Sequence, residues 1–189
     1  LNNIEAAFKG SLFLCQGRIE MSKNAEYWIE QLNLQEHPEG GFFVETYRSK
    51  ERLHESKLPD RYRTSRVFGT SIYFLLTTES VSNFHRLSSD EVWHFHYGGT
   101  GKIHFIDQQG VHTEHLIGSN LEGEESLQVV IPKGTWFAAE VMRKDFILVG
   151  CTVSPGFEFE DFELAGRTKL SSAHPEHQTL IERFTNNSE

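Results

Sequence analysis

Between Asn83 and Gly98 the chain reads Asn-Phe-His-Arg-Leu-Ser-Ser-Asp-Glu-Val-Trp-His-Phe-His-Tyr-Gly, a stretch rich in groups that can move protons. Histidine changes charge near neutral pH, so His85 can serve as a general base or as a hydrogen-bond anchor. Glu91 can set the tautomer of His85 or bind a substrate hydroxyl. The alternative is a pair that only stabilises the fold. Two polar side chains aimed into an aromatic interior are costly unless they meet something, which favours the functional reading. His94 and His96 invite a metal, but on a regular strand they lie opposite Glu91, Trp93 and Phe95. They are expected at solvent or at an interface. His104, His112 and His115 follow no ligand spacing and are expected at the surface.

A second group lies between His37 and Arg48, where Glu39, Glu45, Tyr47 and Arg48 stand beside Gly40-Gly41. The glycine pair tolerates positive φ and close backbone approach. Either this strand lines a cavity mouth and holds a polar ligand, or a glycine turn simply feeds an edge strand. Tyr73 can place its hydroxyl in the interior as an acid, with core packing as the alternative. Arg66 or Arg86 would hold an anionic group, and Trp93, Phe95 and Trp136 would offer flat apolar walls to a ring. No phosphate-binding loop, Gly-x-Ser-x-Gly, Rossmann glycine pattern or Cys-x-x-Cys is present.

The elements that must position these groups read as mostly β. The chain has 189 residues, 38% hydrophobic and 24% charged, which suits one globular domain with a sizeable core. Ser22 is expected to cap a helix running over 23–34. Strands are expected over 42–48, 67–77, 81–86, 91–97, 102–107, 112–117, 127–131, 135–141 and 146–154, with turns at Asp107–Gly110 and Gly118–Asn120. Phe157, Phe159 and Phe162 interleave with acids like one more strand, and 175–184 reads as a helix. Residues 1–20 precede the first Met, Met21, and are expected to be an extension outside a single domain spanning 21–189.

A net charge of −9 argues against non-specific nucleic-acid binding. Seven of the eighteen Lys and Arg fall between Arg48 and Arg66, as a solvated loop or, alternatively, a sugar-phosphate clamp. Cys15 and Cys151 make no disulfide framework, so a cytoplasmic protein is expected. No apolar run approaches the roughly 20 residues of a membrane span.

His85, Glu91 and Gly98 also fall at the spacing of the first cupin motif, His-x-His, three or four residues, Glu, six residues, Gly. Leu87 stands where that motif has its second His. Pro132-Lys-Gly-Thr-Trp136 resembles the second motif, Pro-x-Gly-x-x-His, with Phe137 at the His position. Two of four metal ligands are therefore replaced by apolar residues, and a divalent transition ion usually needs at least three. His37-Pro-Glu-Gly-Gly-Phe-Phe, Thr70-Ser-Ile-Tyr-Phe-Leu-Leu, Phe84-His-Arg with Ser89-Asp-Glu-Val-Trp-His-Phe, and Ser154-Pro-Gly-Phe-Glu-Phe-Glu-Asp-Phe together resemble the fifth cupin family, whose members are largely uncharacterised.

That resemblance implies an all-β double-stranded β-helix, or jelly roll, with a short N-terminal helix and a C-terminal helix, assembled as a homodimer. It implies little about activity; the leading reading is a barrel in which His85 and Glu91 face a cavity holding a small polar, carbohydrate-like metabolite, with no cofactor or metal expected. The distantly similar dTDP-4-dehydrorhamnose 3,5-epimerases use a His base that maps onto His85, although their lysine and tyrosine have no match here. The expected chemistry is metal-independent epimerisation or isomerisation, with His85 as base and Glu91 orienting it. The alternatives are a metal-dependent oxygenase or hydrolase and a non-catalytic binding module.

Overall fold

The computed structural model describes residues 23–186. The extension over 1–20, Cys15 and the expected cap Ser22 lie outside them. The elements run α1 (Ala25–Leu32), β1 (Gln35–Glu36), β2 (Phe42–Arg48), β3 (Arg52–Leu53), β4 (Arg66–Val67), β5 (Thr70–Thr77) and β6 (Ser82–Leu87). They continue with β7 (Asp90–Ile106), β8 (His112–Ile117), β9 (Gln128–Ile131), β10 (Trp136–Ser154), β11 (Phe162–Leu164), α2 (Arg167–Ala173) and α3 (Gln178–Arg183). Nine strands share one sheet in the order β1-β2-β5-β10-β6-β11, with β7 pairing β10, β8 and β9. Every ladder between these strands is antiparallel.

β7 and β10 carry the architecture, because each is long enough to serve both walls of the jelly roll. They span 17 and 19 residues and pair with each other nearly end to end. The register slips between Val141 and Ile147 and again at Leu148/Val149, so both strands bend together. Gly98 has φ +107°, and a Cβ on Gly99 would lie 1.6 Å from the Arg143 carbonyl oxygen. Only glycine fits there. The expected strand pairs 91–97/102–107 and 135–141/146–154 are therefore two bent strands. Gly98 and Gly99 sit where the bulges fall within a continuous ladder.

The wall is packed on both faces. Inside the barrel, Phe74, Leu76, Trp93, Ile103, Phe105, Phe137, Ile147, Val149 and Cys151 form the main core. Outside, α1 covers Leu75, Phe146 and Leu148, while α2 and α3 cover Phe84, Ile106, Trp136 and Ala138. Burial on both faces explains why Ile72–Leu76 is continuously apolar rather than alternating.

α1 is capped by the side chain of Asn24, which accepts from Tyr27 N–H, and it ends at Asn33 in the left-handed conformation. α2 was not legible: among its residues only Leu170 is buried, and no side chain caps it. Phe157 to Phe162 is a loop and a single 3-10 turn rather than a strand, and β11 begins only at Phe162.

Candidate functional site

The site begins at the tight turn His37–Gly41, closed by Gly40 N–H to the His37 carbonyl at 2.9 Å and His37 N–H to the Gly41 carbonyl at 3.0 Å. Gly40 has φ +109°, and a Cβ there would lie 2.1 Å from the Val81 carbonyl oxygen. This close approach lets Glu39 dock on β6. Its carbonyl accepts from Asn83 N–H at 2.8 Å, and its Oε1 accepts from Ser82 Oγ at 2.9 Å.

Glu39 Oε2 then meets His85 Nε2 at 3.0 Å, while His85 Nδ1 lies 2.7 Å from the Asn83 carbonyl. Burial alone would lower the His85 pKa, but the Glu39 carboxylate and the Asn83 carbonyl outweigh it and raise it. Burial would likewise raise Glu39, yet the facing His85 holds it below the usual carboxylate range. The two form a buried ion pair in which both His85 nitrogens are occupied.

Glu91 behaves oppositely. Burial and the neighbouring Glu39 charge push its carboxyl to about 7. The positive charge of His85, with smaller help from the Trp93 indole and the Cys151 thiol, only partly offsets this. Two carboxylates around one histidine thus have opposed protonation preferences, a pattern that separates acid from base roles.

Beside this cluster a cavity of about 90 Å³, open at one side, is lined by His37, Phe43, Glu45, Arg48, Ile72, Cys151, Phe157 and Phe159, among others. His37 Nδ1 lies 3.4 Å from both the Glu39 amide nitrogen and Glu39 Oε2. Protonated, it donates to the carboxylate; bare, it accepts from the amide. The ring therefore has a partner in either tautomer, and burial lowers its pKa so that it is neutral near pH 7. At the rim, Arg48 donates to both oxygens of Glu45 and to Glu158, which balances the local charge.

The structure brings Glu39, Glu45, His85, Glu91, Trp93 and Phe95 to the barrel interior or its mouth. It corrects the expectation that Glu91 orients His85, because Glu39 and Asn83 occupy both ring nitrogens. His85 as a free base is corrected for the same reason.

Five expected ligand groups lie elsewhere. A bulge between Glu45 and Tyr47 turns Tyr47 to the opposite face, where it is exposed. Tyr73 faces α1 and packs edge-on against His96. Arg66 is buried in a two-pronged pair with Asp161, at 2.6 and 2.8 Å, which anchors the charged loop. Arg86 and Trp136 alternate outwards from His85 and Phe137, and the guanidinium sits 4.5 Å from the indole while bonding Glu163. His104, expected at the surface, is buried and bonded to Glu140.

Of the titratable lining residues, His37 and Cys151 are the two that sequence reasoning did not select. The His37-x-Glu39 spacing before a glycine pair was the available signal. Cys151 had none, because a lone cysteine in an apolar strand reads as core.

A divalent ion does not fit the barrel. Leu87 is buried at one ligand position, and Phe137 at the other packs its ring 3.9 Å from that of His85. Among the described residues, no three of His37, Glu39, His85 and Glu91 converge to within 4.8 Å.

Comparison with known proteins places this geometry. A protein of Shewanella oneidensis has 39% identity and a TM-score of 0.79, covering 87% of this chain and 99% of its own. A hypothetical protein of Leishmania major has 35% identity with the same TM-score and coverage. An uncharacterized protein of Saccharomyces cerevisiae is 28% identical over 166 residues, 82% of each chain. Oxalate decarboxylase of Bacillus subtilis, at 12% identity and TM-score 0.50 over 81% of this chain and 37% of its own, shares the fold alone. The family described as Cupin superfamily (DUF985) matches residues 26–165, and the chain belongs to it.

Proposed function

We propose that the barrel binds one end of a small, neutral, polyhydroxylated metabolite and moves a carbon-bound proton on it without a metal, as an epimerase or isomerase does. The observation that carries this reading is the opposed protonation of Glu39 and Glu91 around His85, beside this cavity. The cavity holds roughly three waters' worth of volume at about 30 Å³ each, so the rest of a sugar would lie at the mouth against Phe157 and Phe159. Arg48 is already committed to Glu45 and Glu158, which favours a neutral ligand over an anionic one.

His37 is the titratable ring that lines the cavity, and Glu39 and His85 stand behind it. With its proton on Nδ1 the ring offers a lone pair at Nε2. That lone pair takes the proton from a carbon beside a carbonyl, and the C–H electron pair moves into the enolate. In isomerisation the ring returns the proton to the former carbonyl carbon, while the proton of the adjacent hydroxyl passes to the former carbonyl oxygen and the carbonyl reforms one carbon away. Epimerisation instead requires a proton delivered from the opposite face of the enolate. The same reading expects a homodimer, checked by light scattering on purified protein.

The test is incubation of the full chain with a panel of aldoses, ketoses and deoxy-keto sugars in deuterated buffer, read by proton NMR. Loss of a carbon-bound proton signal, abolished by His37→Gln and slowed by Glu91→Gln, is the expected result. Turnover without deuterium incorporation would overturn proton transfer. Saturable binding with neither turnover nor exchange would establish the second reading, a non-catalytic binding module, which the full occupation of His85 favours.

A further inference from the structure

The outer wall of the barrel holds a second cluster of ligating groups, built where β7 and β8 run side by side. His104 on β7 pairs with Glu114 on β8, and His112 starts the same strand opposite Ile106. His104 Nδ1 lies 3.3 Å from His112 Nε2 and 3.4 Å from Glu114 Oε1. All three atoms fall within 4.8 Å of one another.

The groups around His104 support a tautomer that leaves Nδ1 able to ligate. Glu140 Oε1 lies 3.2 Å from His104 Nε2 and, as a carboxylate, can only accept. Glu140 thus supports the tautomer of His104 with its proton on Nε2, in which Nδ1 turns a lone pair towards His112 Nε2 and Glu114 Oε1. His104 is buried, with 3% of its surface exposed. Glu114 keeps Oε1 free because Lys102 Nζ takes Oε2 at 2.8 Å. Glu140 is fixed in turn by Arg183. A carboxylate that holds a ring N–H so that the other nitrogen can ligate is the usual support of a metal-bound histidine.

We propose that His104 Nδ1, His112 Nε2 and Glu114 Oε1 form a zinc site on the outer face of the barrel, separate from the ligand cavity. Imidazole and carboxylate ligands suit zinc, whose bonds of about 2.0–2.1 Å set the edge of a tetrahedron at roughly 3.3 Å. The two shortest separations, 3.3 and 3.4 Å, already match that edge. The fourth position is left to water. The ion would fasten β8 to β7 and, through Glu140 and Arg183, tie this hairpin to the C-terminal helix α3.

The test is equilibrium dialysis of the untagged full chain against buffered free zinc, read by plasma mass spectrometry, with cobalt as a spectroscopic substitute. One zinc per chain and a cobalt visible spectrum of four-coordinate intensity are expected. Affinity should fall at least tenfold in His112→Ala and in the exposed-site variant Glu114→Gln, and about 10- to 100-fold in Glu140→Gln. His85→Gln, inside the barrel, should leave it unchanged. Absence of saturable zinc binding at micromolar free metal would overturn the site. So would zinc that survives both His112→Ala and Glu114→Gln in folded protein, or zinc lost in His85→Gln instead.

Discussion

Glu39 Oε2 stands 3.0 Å from His85 Nε2, with both side chains almost wholly shielded from solvent. Taking two charges out of water costs several kcal/mol each, and the pair persists because further hydrogen bonds satisfy it. Ser82 donates to Glu39, and the Asn83 carbonyl accepts from His85. The cost is tolerated beside a cavity whose lining includes His37, itself in contact with the same Glu39 oxygen.

Glu39→Gln should destabilise the protein by about 3–5 kcal/mol, since it leaves His85 buried without its counter-charge. In the variant, burial dominates and the His85 pKa falls below its ordinary value. The wild-type His85 contribution is fully present below pH 6.5, the ordinary histidine value, and is lost as pH rises through its raised folded pKa. The Glu39 contribution is present above 4.5 and lost as pH falls through its lowered folded pKa. Urea midpoints across pH and NMR titration of the His85 ring check all three.

Glu91 has the reverse sign. Its folded pKa of about 7 exceeds the ordinary 4.5, so the native state holds the proton more tightly and stability falls as pH rises between these values. Glu91→Gln cannot ionise and should be more stable than wild type at pH 8 by about 3 kcal/mol, converging with it near pH 4. Coincident wild-type and variant stability profiles across this range would show that Glu91 is not held protonated.

Arg66 fastens its loop to Asp161 through two hydrogen bonds. Asp161→Asn should cost about 3 kcal/mol by leaving the buried guanidinium short of charge. It should also loosen the loop 49–65, while the His37 ring signals stay in place. Limited proteolysis and NMR of the same variant separate the two effects.

The bend in β7 depends on glycine. Gly99→Ala would set a Cβ 1.6 Å from the Arg143 carbonyl oxygen, so the two long strands must separate locally. A loss of about 3 kcal/mol or more is expected in thermal or urea unfolding, beyond the usual range for a surface substitution.

The sequence by itself determined the fold class and most of its parts. Alternation and turn residues located β2, β6, β8 and β9, because a half-buried strand repeats every two residues; the jelly roll was implied by the resemblance to the cupin motifs that His85, Glu91 and Gly98 carry. It also identified Glu39, Glu45, His85 and Glu91 as the polar residues of interest.

Only the tertiary structure decided how they pair. Glu91 lies near His85 along the chain, but Glu39 reaches it in space because Gly40 lets the turn press against Val81. Tyr47, Tyr73, Arg66, Arg86 and Trp136 were lost to the site through a bulge, a second packed face and an ion pair. Those features depend on residues distant in sequence. His104 shows the same limit: helices folding back over the outer wall buried it, and no spacing along β7 foretold what would cover that strand.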